Sequence, residues 1–235
     1  MANVRRIPHK VFLLIIFITA QNLFAQDLVI TGKETGFDFR YEYNRSMVYS
    51  LDFAASGALE LNGLYTIGGG FSLGDLGGIY DIKTYIGGKA GPLFGNLVSF
   101  SLSYIYNGLP AYGFHSHSLL PVVYLDSRWA GIAVGTSLRF TRFFGESPLF
   151  EHILSFCGYV NFINNDRLVL GISVANFGDF YAGNMGSYSI RINSLITIDD
   201  QWSVTGVIEL LQSGGTGLTT SFYGIAFKGG FRYSW

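Results

Sequence analysis

The stretch "GFDFRYEYN", residues 36–44, alternates large aromatic side chains with polar ones. Its odd-numbered positions hold Phe37, Phe39, Tyr41 and Tyr43, and its even-numbered positions hold Asp38, Arg40, Glu42 and Asn44. Successive side chains of a β-strand point to opposite faces, so this period of two predicts a strand with one apolar face and one charged face. A strand of this kind needs an apolar environment on one side and a polar environment on the other.

The same alternation recurs along the chain. We find it in twelve segments, 35–44, 46–55, 58–71, 78–89, 97–107, 116–125, 130–143, 153–163, 167–177, 188–198, 201–212 and 218–235. Most of them have about the 9–11 residues that a tilted membrane strand needs. An even number is expected for a single-chain bacterial barrel. We therefore expect an all-β fold, a closed antiparallel transmembrane β-barrel of about 12 strands. The glycine-rich stretch 67–78 could be a loop, a kinked pair of strand ends or a barrel corner. An alternative of 10 strands arises if the first two segments form one long strand.

The lengths of the links distinguish a membrane barrel from a secreted β-sandwich, whose apolar faces would form a core. From residue 97 onward, long links at 108–115, 144–152, 178–187 and 213–217 alternate with the short links "DSRW", "NND" and "DD". Transmembrane barrels carry long loops on one rim and tight turns on the other. Two aromatic belts are also expected. Trp129, Trp202, Trp235, Phe162 and Tyr233 would lie at the short-turn rim, and Tyr41, Tyr43, Tyr49, Tyr106 and Tyr188 near the other rim.

The N-terminus has the layout of a secretory signal peptide. Arg5, Arg6 and Lys10 precede an apolar run, and a short segment then ends at Ala25. We predict a signal peptide at 1–25, a short N-terminal extension at 26–34 and the barrel at 35–235. Cleavage near Ala25 would place the mature protein outside the cytoplasm.

Composition agrees with a membrane barrel. Charged residues make up 13% of the chain, against roughly 25% in a soluble domain. Beyond the signal peptide, no uninterrupted apolar stretch approaches the length of a transmembrane helix. Without three basic residues of the signal peptide, 15 − 3 = 12 basic residues face 16 acidic ones. This balance, with no basic cluster, gives no support for nucleic-acid binding. The single Cys157 excludes an internal disulfide.

The last nine residues, "FKGGFRYSW", end the chain on an aromatic strand. Together with the signal peptide and the alternating strands, they resemble the outer-membrane β-barrel proteins of diderm bacteria as a class. The resemblance implies an outer-membrane location, contact with the lipid bilayer and insertion by the barrel-assembly machinery. It also implies a C-terminal assembly signal, carried here by Phe227, Phe231, Tyr233 and Trp235. Trp235 in place of the commoner phenylalanine, and Gly229 at an alternate position, depart from the pattern of the class. The resemblance selects no family within the class.

Charged residues on the polar face of the segments are the candidates for lining the lumen. They are Asp38, Arg40, Glu42, Asp52, Glu60, Asp81, Lys83, Arg139, Arg191, Glu209, Lys228 and Arg232. Closing the barrel requires the last strand to pair with the first, which would place Lys228 and Arg232 beside Asp38 and Glu42. The charges would form either opposite walls of a channel or a neutralised network that fills the barrel. Three tyrosines would also point inward: Tyr85, Tyr124 and Tyr159. They would narrow the bore, so that it admits small solutes at most.

The sequence thus favours a narrow passive channel for small solutes, with a non-conducting structural or surface barrel as the alternative. A second alternative is an outer-membrane lipid hydrolase, which needs a serine and a histidine on one lipid-facing strand. The pattern does not supply that pair, because His115 and His117 share one face while Ser116 and Ser118 share the other. His115, His117 and His152 lack an acidic partner at fixed spacing. We therefore expect no metal, no cofactor and no catalytic residue.

Overall fold

A computed structural model describes residues 29–45, 49–74, 80–93, 95–109, 113–182, 187–213 and 221–235. The predicted signal peptide at 1–25 and the first part of the predicted extension lie outside these described residues.

Twelve antiparallel strands close into one barrel. Each strand pairs with its neighbours in the chain, and the first strand pairs with the last. This confirms the closed 12-strand antiparallel barrel, and the alternative of 10 strands is wrong. The strands are β1 (Ile30–Asn44), β2 (Tyr49–Leu61), β3 (Tyr65–Gly74), β4 (Tyr80–Leu93), β5 (Asn96–Leu109), β6 (Phe114–Asp126), β7 (Ala130–Arg142), β8 (Leu149–Asn164), β9 (Leu168–Ala175), β10 (Ser187–Thr197), β11 (Trp202–Ser213) and β12 (Ser221–Ser234).

Short and long connections alternate around the barrel, as the sequence predicts. The links at 62–64, 127–129, 165–167 and 198–201, together with Gly95, lie on the rim where β1 begins and β12 ends, which we call the short-turn rim. Local side chains hold two of these turns: Asn165 Oδ1 accepts hydrogen bonds from the backbone of Arg167 and Leu168, and Asp199 Oδ1 accepts them from Gln201 and Trp202. Such Asx turns are built into the sequence and need no tertiary support. The opposite rim carries the longer links, including 143–148 and the link that begins at Asn176, and is the long-connector rim.

The turn between β2 and β3 lies later in the chain than predicted. The link expected at 56–57 lies inside β2, and the turn comes at 62–64. Asn62 and Gly63 have positive φ values of 54° and 66°. Tight β-hairpin turns with this backbone conformation strongly favour an Asn-Gly pair. Asn62 Oδ1 also accepts a hydrogen bond from the Val29 backbone at 2.8 Å. The Asn-Gly pair is therefore the stronger turn signal in this region.

Strand β1 begins at Ile30, so residues 30–34 belong to the barrel and not to the extension predicted at 26–34. Two partners lengthen the strand. Its first residues pair with the end of β2, and Lys33 exchanges two backbone hydrogen bonds with Trp235, at 3.2 and 3.0 Å. This pairing is long-range, so the local pattern of "TGKE" does not reveal it.

The glycine-rich stretch predicted as ambiguous is a strand as far as Gly74; residues 75–79 lie outside the described part of the chain. Gly68 faces the ring of Tyr85 on β4. A Cβ atom at Gly68 would lie 2.5 Å from that ring, closer than any side-chain contact. The glycine therefore lets the tyrosine ring lie against the inner wall.

The barrel has the polarity opposite to that of a soluble protein. Large apolar side chains point outward, with Phe37 65% and Val123 56% exposed, while Ser118, Ser137 and Ser155 are fully buried. An apolar surface that surrounds the whole barrel is far larger than the isolated patches of soluble monomers. It suits a lipid environment, in which a closed barrel satisfies every backbone hydrogen bond. Within the described ranges, no helix is long and apolar enough to cross a membrane.

Candidate functional site: a charged interior crossed by a connector

The twelve charged residues selected from the sequence all lie on the inner face of the barrel wall. In each strand they occupy positions of the parity opposite to the exposed apolar side chains. Their partners in neighbouring strands are also inner residues, as in Arg40 opposite Asp52 and Arg191 opposite Glu209. A role in lining a solute path remains a prediction for this set.

One ion-pair cluster joins the last strand to the first. Arg232 donates from Nη1 to Asp38 Oδ1 at 3.0 Å and from Nη2 to Oδ2 at 2.9 Å. Its Nε also lies 3.7 Å from Glu34. The Asp38 side chain is only 9% exposed, so this fork-shaped contact is well shielded from water. Strand closure therefore brings Arg232 to Asp38, as the sequence predicts.

A second cluster bridges four strands. Arg40 on β1 contacts Glu42 at 2.7 Å, Glu209 of β11 at 3.3 Å and Asp52 of β2 at 3.7 Å. Arg191 of β10 contacts the other oxygen of Glu209 at 2.5 Å. The pairing expected between Glu42 and the last strand is wrong, because Glu42 lies opposite the small residue Ala226 and is nearest to Arg40 of its own strand.

The connector between β9 and β10 folds into the barrel. We call its described part, residues 176–182, the inner connector. Its Phe180 carbonyl accepts a hydrogen bond from Asn107 of β5 at 2.8 Å. Its Tyr181 ring lies 5.7 Å from the Arg139 guanidinium of β7. Asp179 pairs with Lys228 of β12. Because contacts with β5, β7 and β12 cannot all be made along one wall, the connector extends across the lumen.

The two ends of the inner connector are fixed. Asn176 is 3% exposed, and its side chain accepts from the Phe156 backbone at 2.8 Å and donates to the Leu154 carbonyl at 2.7 Å. At the other end, the Ala182 carbonyl accepts a hydrogen bond from Ser155 at 3.3 Å. Ala182 packs in a buried cluster on the inner wall, with Ile105, Leu120, Val122 and Ala133. The connector thus covers the apolar part of the wall and leaves the charged part facing the lumen.

Small residues on the wall make room for this inward fold. Ser118 of β6, Ser137 of β7 and Ser155 of β8 are at most 1% exposed, beside Ala133 and Ala175. Larger side chains at these inner positions would occupy the space that the connector fills. The sequence predicts 178–187 as a long loop at the rim, and the inward fold of the inner connector differs from that prediction. The signal was the coincidence of this small-residue region with apolar Phe177 and Ala182 in the link.

Asp179 is the charged centre of the inner connector. The neighbouring ammonium of Lys228 lowers the pKa of its carboxyl well below the ordinary value of 3.8, with further lowering by Lys83 and Arg191. Although the ring of strands surrounds it, 63% of its side chain is exposed. Lys83 lies on β4, and its ammonium is 5.4 Å from the centre of the Tyr85 ring. Among the described residues, no carboxylate lies within 4.0 Å of the Lys83 ammonium.

The inward tyrosines lie against the wall. The ring of Tyr159 covers Gly131, where a Cβ would be 2.5 Å away, and its hydroxyl donates to Asp126 at 3.0 Å. Tyr124 shares a hydrogen bond with Ser101 at 3.3 Å. With Tyr85 over Gly68, all three rings are held at the wall by neighbouring strands. The inner connector, in contrast, reaches across the lumen.

A cavity lies at the short-turn rim. Its volume is about 520 Å³, and it is lined by residues that include Gly32, Glu34, Ala58, Glu60, Thr66 and Trp235. Lys89 lies at this rim, 3.0 Å from Glu60, and both side chains are well exposed. The cavity is large enough to admit a small polar molecule and its water, and we call it the vestibule.

The three histidines within the described residues lie on the outer face. His115 shares a hydrogen bond with Tyr106 and His117 with Tyr104, both at 2.7 Å, while His152 shares one with Thr136. The described residues contain no group of three or more potential metal-ligating side chains. Ser118 points inward and is buried, so it does not meet His117.

Comparisons with known proteins give the fold but no family. No protein-family model and no curated protein matches the chain. Among solved structures, the NanC porin in a rhombohedral crystal form has a TM-score of 0.58 at 7% identity, covering 84% of this chain and 98% of its own. The KdgM porin has a TM-score of 0.55 at 8% identity, covering 85% and 99%. The KdgM porin in complex with disordered oligogalacturonate has a TM-score of 0.56 at 8% identity, with the same coverage.

The chain shares the barrel fold of these porins. At such low identity the likeness extends to the fold alone. It supports the resemblance to outer-membrane β-barrel proteins as a class, and it assigns no solute.

Proposed function

We propose that this protein is a narrow passive channel for small polar solutes in a bacterial outer membrane. The outward apolar surface favours a membrane location. The likeness to porins in fold supports the outer membrane in particular. The proposal includes signal-peptide cleavage near Ala25. It also includes recognition by the barrel-assembly machinery of the C-terminal signal, Phe227, Phe231, Tyr233 and Trp235. Mass spectrometry of the protein purified from membranes tests the cleavage, and an N-terminus at Gln26 is the expected result.

The exposure of Asp179 carries the proposal. This carboxylate lies within the ring of strands, yet 63% of its side chain is exposed, so the interior around it holds space for water. Charged side chains at this level, among them Lys83 and Lys228, would face that space. A hydrated, charged interior that meets a vestibule at the short-turn rim is the arrangement of a polar pore. The inner connector limits its width, which favours small solutes.

Conductance of the refolded protein in planar lipid bilayers tests the channel. We expect discrete current steps in KCl, and proteoliposomes that swell in small sugars but not in large oligosaccharides. A barrel that is folded by its heat-dependent mobility on gels, but that gives neither current nor swelling, would refute conduction.

The second candidate is a closed structural or surface barrel. A specific observation favours it: Asp38, Arg40, Arg191, Glu209 and Arg232 are engaged in ion pairs on the inner wall. Such pairing neutralises charge that an open pore would present to ions. In this case the bilayer stays silent while the barrel remains folded. The two candidates therefore predict opposite results in the same experiment.

A further inference from the structure

Asp179 and Lys228 meet across the interior of the barrel, between elements that are not neighbours. The inner connector leaves β9 and leads to β10, and β4 lies six places from β10 in the ring of twelve strands, directly opposite. Asp179 nevertheless interacts electrostatically with Lys83 of β4 as well as with Lys228 of β12 and Arg191 of β10. Lys228 is the cation in direct contact with this carboxylate, while Lys83 from the opposite wall and Arg191 lie near enough to act on it electrostatically.

The inner connector positions the Asp179 carboxylate in the lumen but does not fix it there. The ends of the inner connector are anchored at Asn176 and Ala182. Between them, the pair with Lys228 is the ion pair that holds Asp179, whose side chain is 63% exposed. Accessible ion pairs are individually weak. A dissolved carboxylate that reaches the same lysines can therefore compete with Asp179.

The cations around Asp179 differ in how completely other side chains compensate their positive charge. Arg191 is paired with Glu209 at 2.5 Å. Lys228 lies 3.9 Å from Asp38, a carboxylate already engaged by Arg232. Lys83 has the face of the Tyr85 ring as its nearest partner. If Asp179 moved away, Lys83 and Lys228 would face the lumen as two incompletely compensated ammonium groups.

We propose that Lys83 and Lys228 form a subsite for carboxylate-bearing organic anions, which Asp179 occupies when no such solute is present. This inference rests on the proposed function, since it names the solute class of the same channel. An anion that displaces Asp179 replaces one carboxylate by another at the same ammonium groups. Displacement also removes the ion pair that ties the inner connector to β12, so passage of anions and widening of the bore are coupled.

Citrate block of KCl current in planar bilayers tests the subsite. The variants are Asp179→Asn and the double variant Lys83→Gln with Lys228→Gln. Lys89→Gln is the matched control, because it removes a cation at the short-turn rim. We expect Asp179→Asn to strengthen citrate block about 3- to 10-fold and to shift the zero-current potential in a KCl gradient toward anion permeability. The double lysine variant should lose the block, and Lys89→Gln should resemble the parent protein.

Two outcomes overturn the inference while leaving the channel intact. If Asp179→Asn conducts but citrate block is unchanged or weaker, Asp179 does not occupy an anion subsite. If the double lysine variant still binds citrate as the parent does, the subsite lies elsewhere. Calorimetric titration of citrate into the folded proteins in detergent measures citrate affinity directly. It compares the parent and the variants even if none of them conducts. A silent bilayer would therefore refute the proposed channel, while the titration would still decide the subsite.

Discussion

Arg232 and Asp38 lie 194 residues apart in the sequence, and they join the last strand to the first through two contacts of 3.0 and 2.9 Å. The strands that they join are those whose pairing closes the barrel. Local sequence cannot bring them together, because the pair exists only once the ring is complete. The contact is therefore a marker of closure as well as a source of stability.

Breaking this pair should weaken the barrel more than breaking a pair at the rim. We expect Arg232→Gln to lower the free energy of unfolding by about 2 kcal/mol, since a shielded carboxylate then loses its bidentate partner. The control is Lys89→Gln, which breaks the exposed pair with Glu60 and should cost at most about 1 kcal/mol. Guanidinium unfolding in lipid vesicles, followed by tryptophan fluorescence, measures both. Equal losses for the two variants would contradict the importance of the closing pair.

Adjacent residues of β10 test which face meets lipid. Ile192 points outward and is 46% exposed, whereas Asn193 points inward and donates to Ser173 at 2.8 Å. We expect Ile192→Lys to cost about 2–4 kcal/mol of folding free energy in a bilayer, because it places a charge in the hydrocarbon region. Asn193→Lys should cost about 1 kcal/mol, the value of one lost hydrogen bond. The same unfolding measurement serves, and a reversed order would mean that the faces are exchanged.

Asn176 should control the position of the inner connector. Asn176→Asp replaces the Nδ2 donor by an oxygen that faces the Leu154 carbonyl, which now accepts a hydrogen bond at 2.7 Å. Two acceptors then oppose each other in a buried site, at a cost of about 1–3 kcal/mol. We expect larger and noisier single-channel currents, since one anchor of the connector is lost. Asn165→Asp is the control: its side chain accepts from two backbone donors in a short turn, and its currents should stay unchanged. Identical currents in all three proteins would mean that the connector does not limit conduction.

The sequence predicts the wall of this barrel better than its contents. Alternation is a property of each strand, and lipid on one side and water on the other enforce it, so positions such as Phe37 and Asp38 can be assigned locally. The turn at Asn62 and Gly63 was predicted too early, at 56–57, although its Asn-Gly pair is a local signal for positive φ. The inner connector was not predicted, because its place depends on inner residues of β5 to β8 and on Lys228. Those contacts join segments far apart in the chain, and no short motif encodes them.

The pH dependence of the inner connector should follow Asp179. Lys228 lowers the pKa of this carboxyl below its ordinary value of 3.8, assisted by Lys83 and Arg191. The charged groups around it are these three cations and Asp38, which lies 3.9 Å from Lys228. A lowered pKa in the folded state means that the stabilising attraction is complete above the ordinary value and is lost only as the pH falls through the lowered one.

We therefore expect single-channel conductance and anion permeability to stay constant as the pH falls from 7 to about 4. In Lys228→Gln the largest cause of the lowering is absent, and burial raises the pKa of the same carboxyl. Asp179 should then take up its proton at a higher pH than in the parent protein. The conductance of the variant should therefore change as the pH falls from 7 to about 4, the range in which the parent stays constant. Lys89→Gln, whose lysine lies at the short-turn rim, should follow the parent. A parent channel whose conductance changes between pH 7 and 5, with Lys228→Gln changing over the same range, would mean that a group other than Asp179 governs the connector.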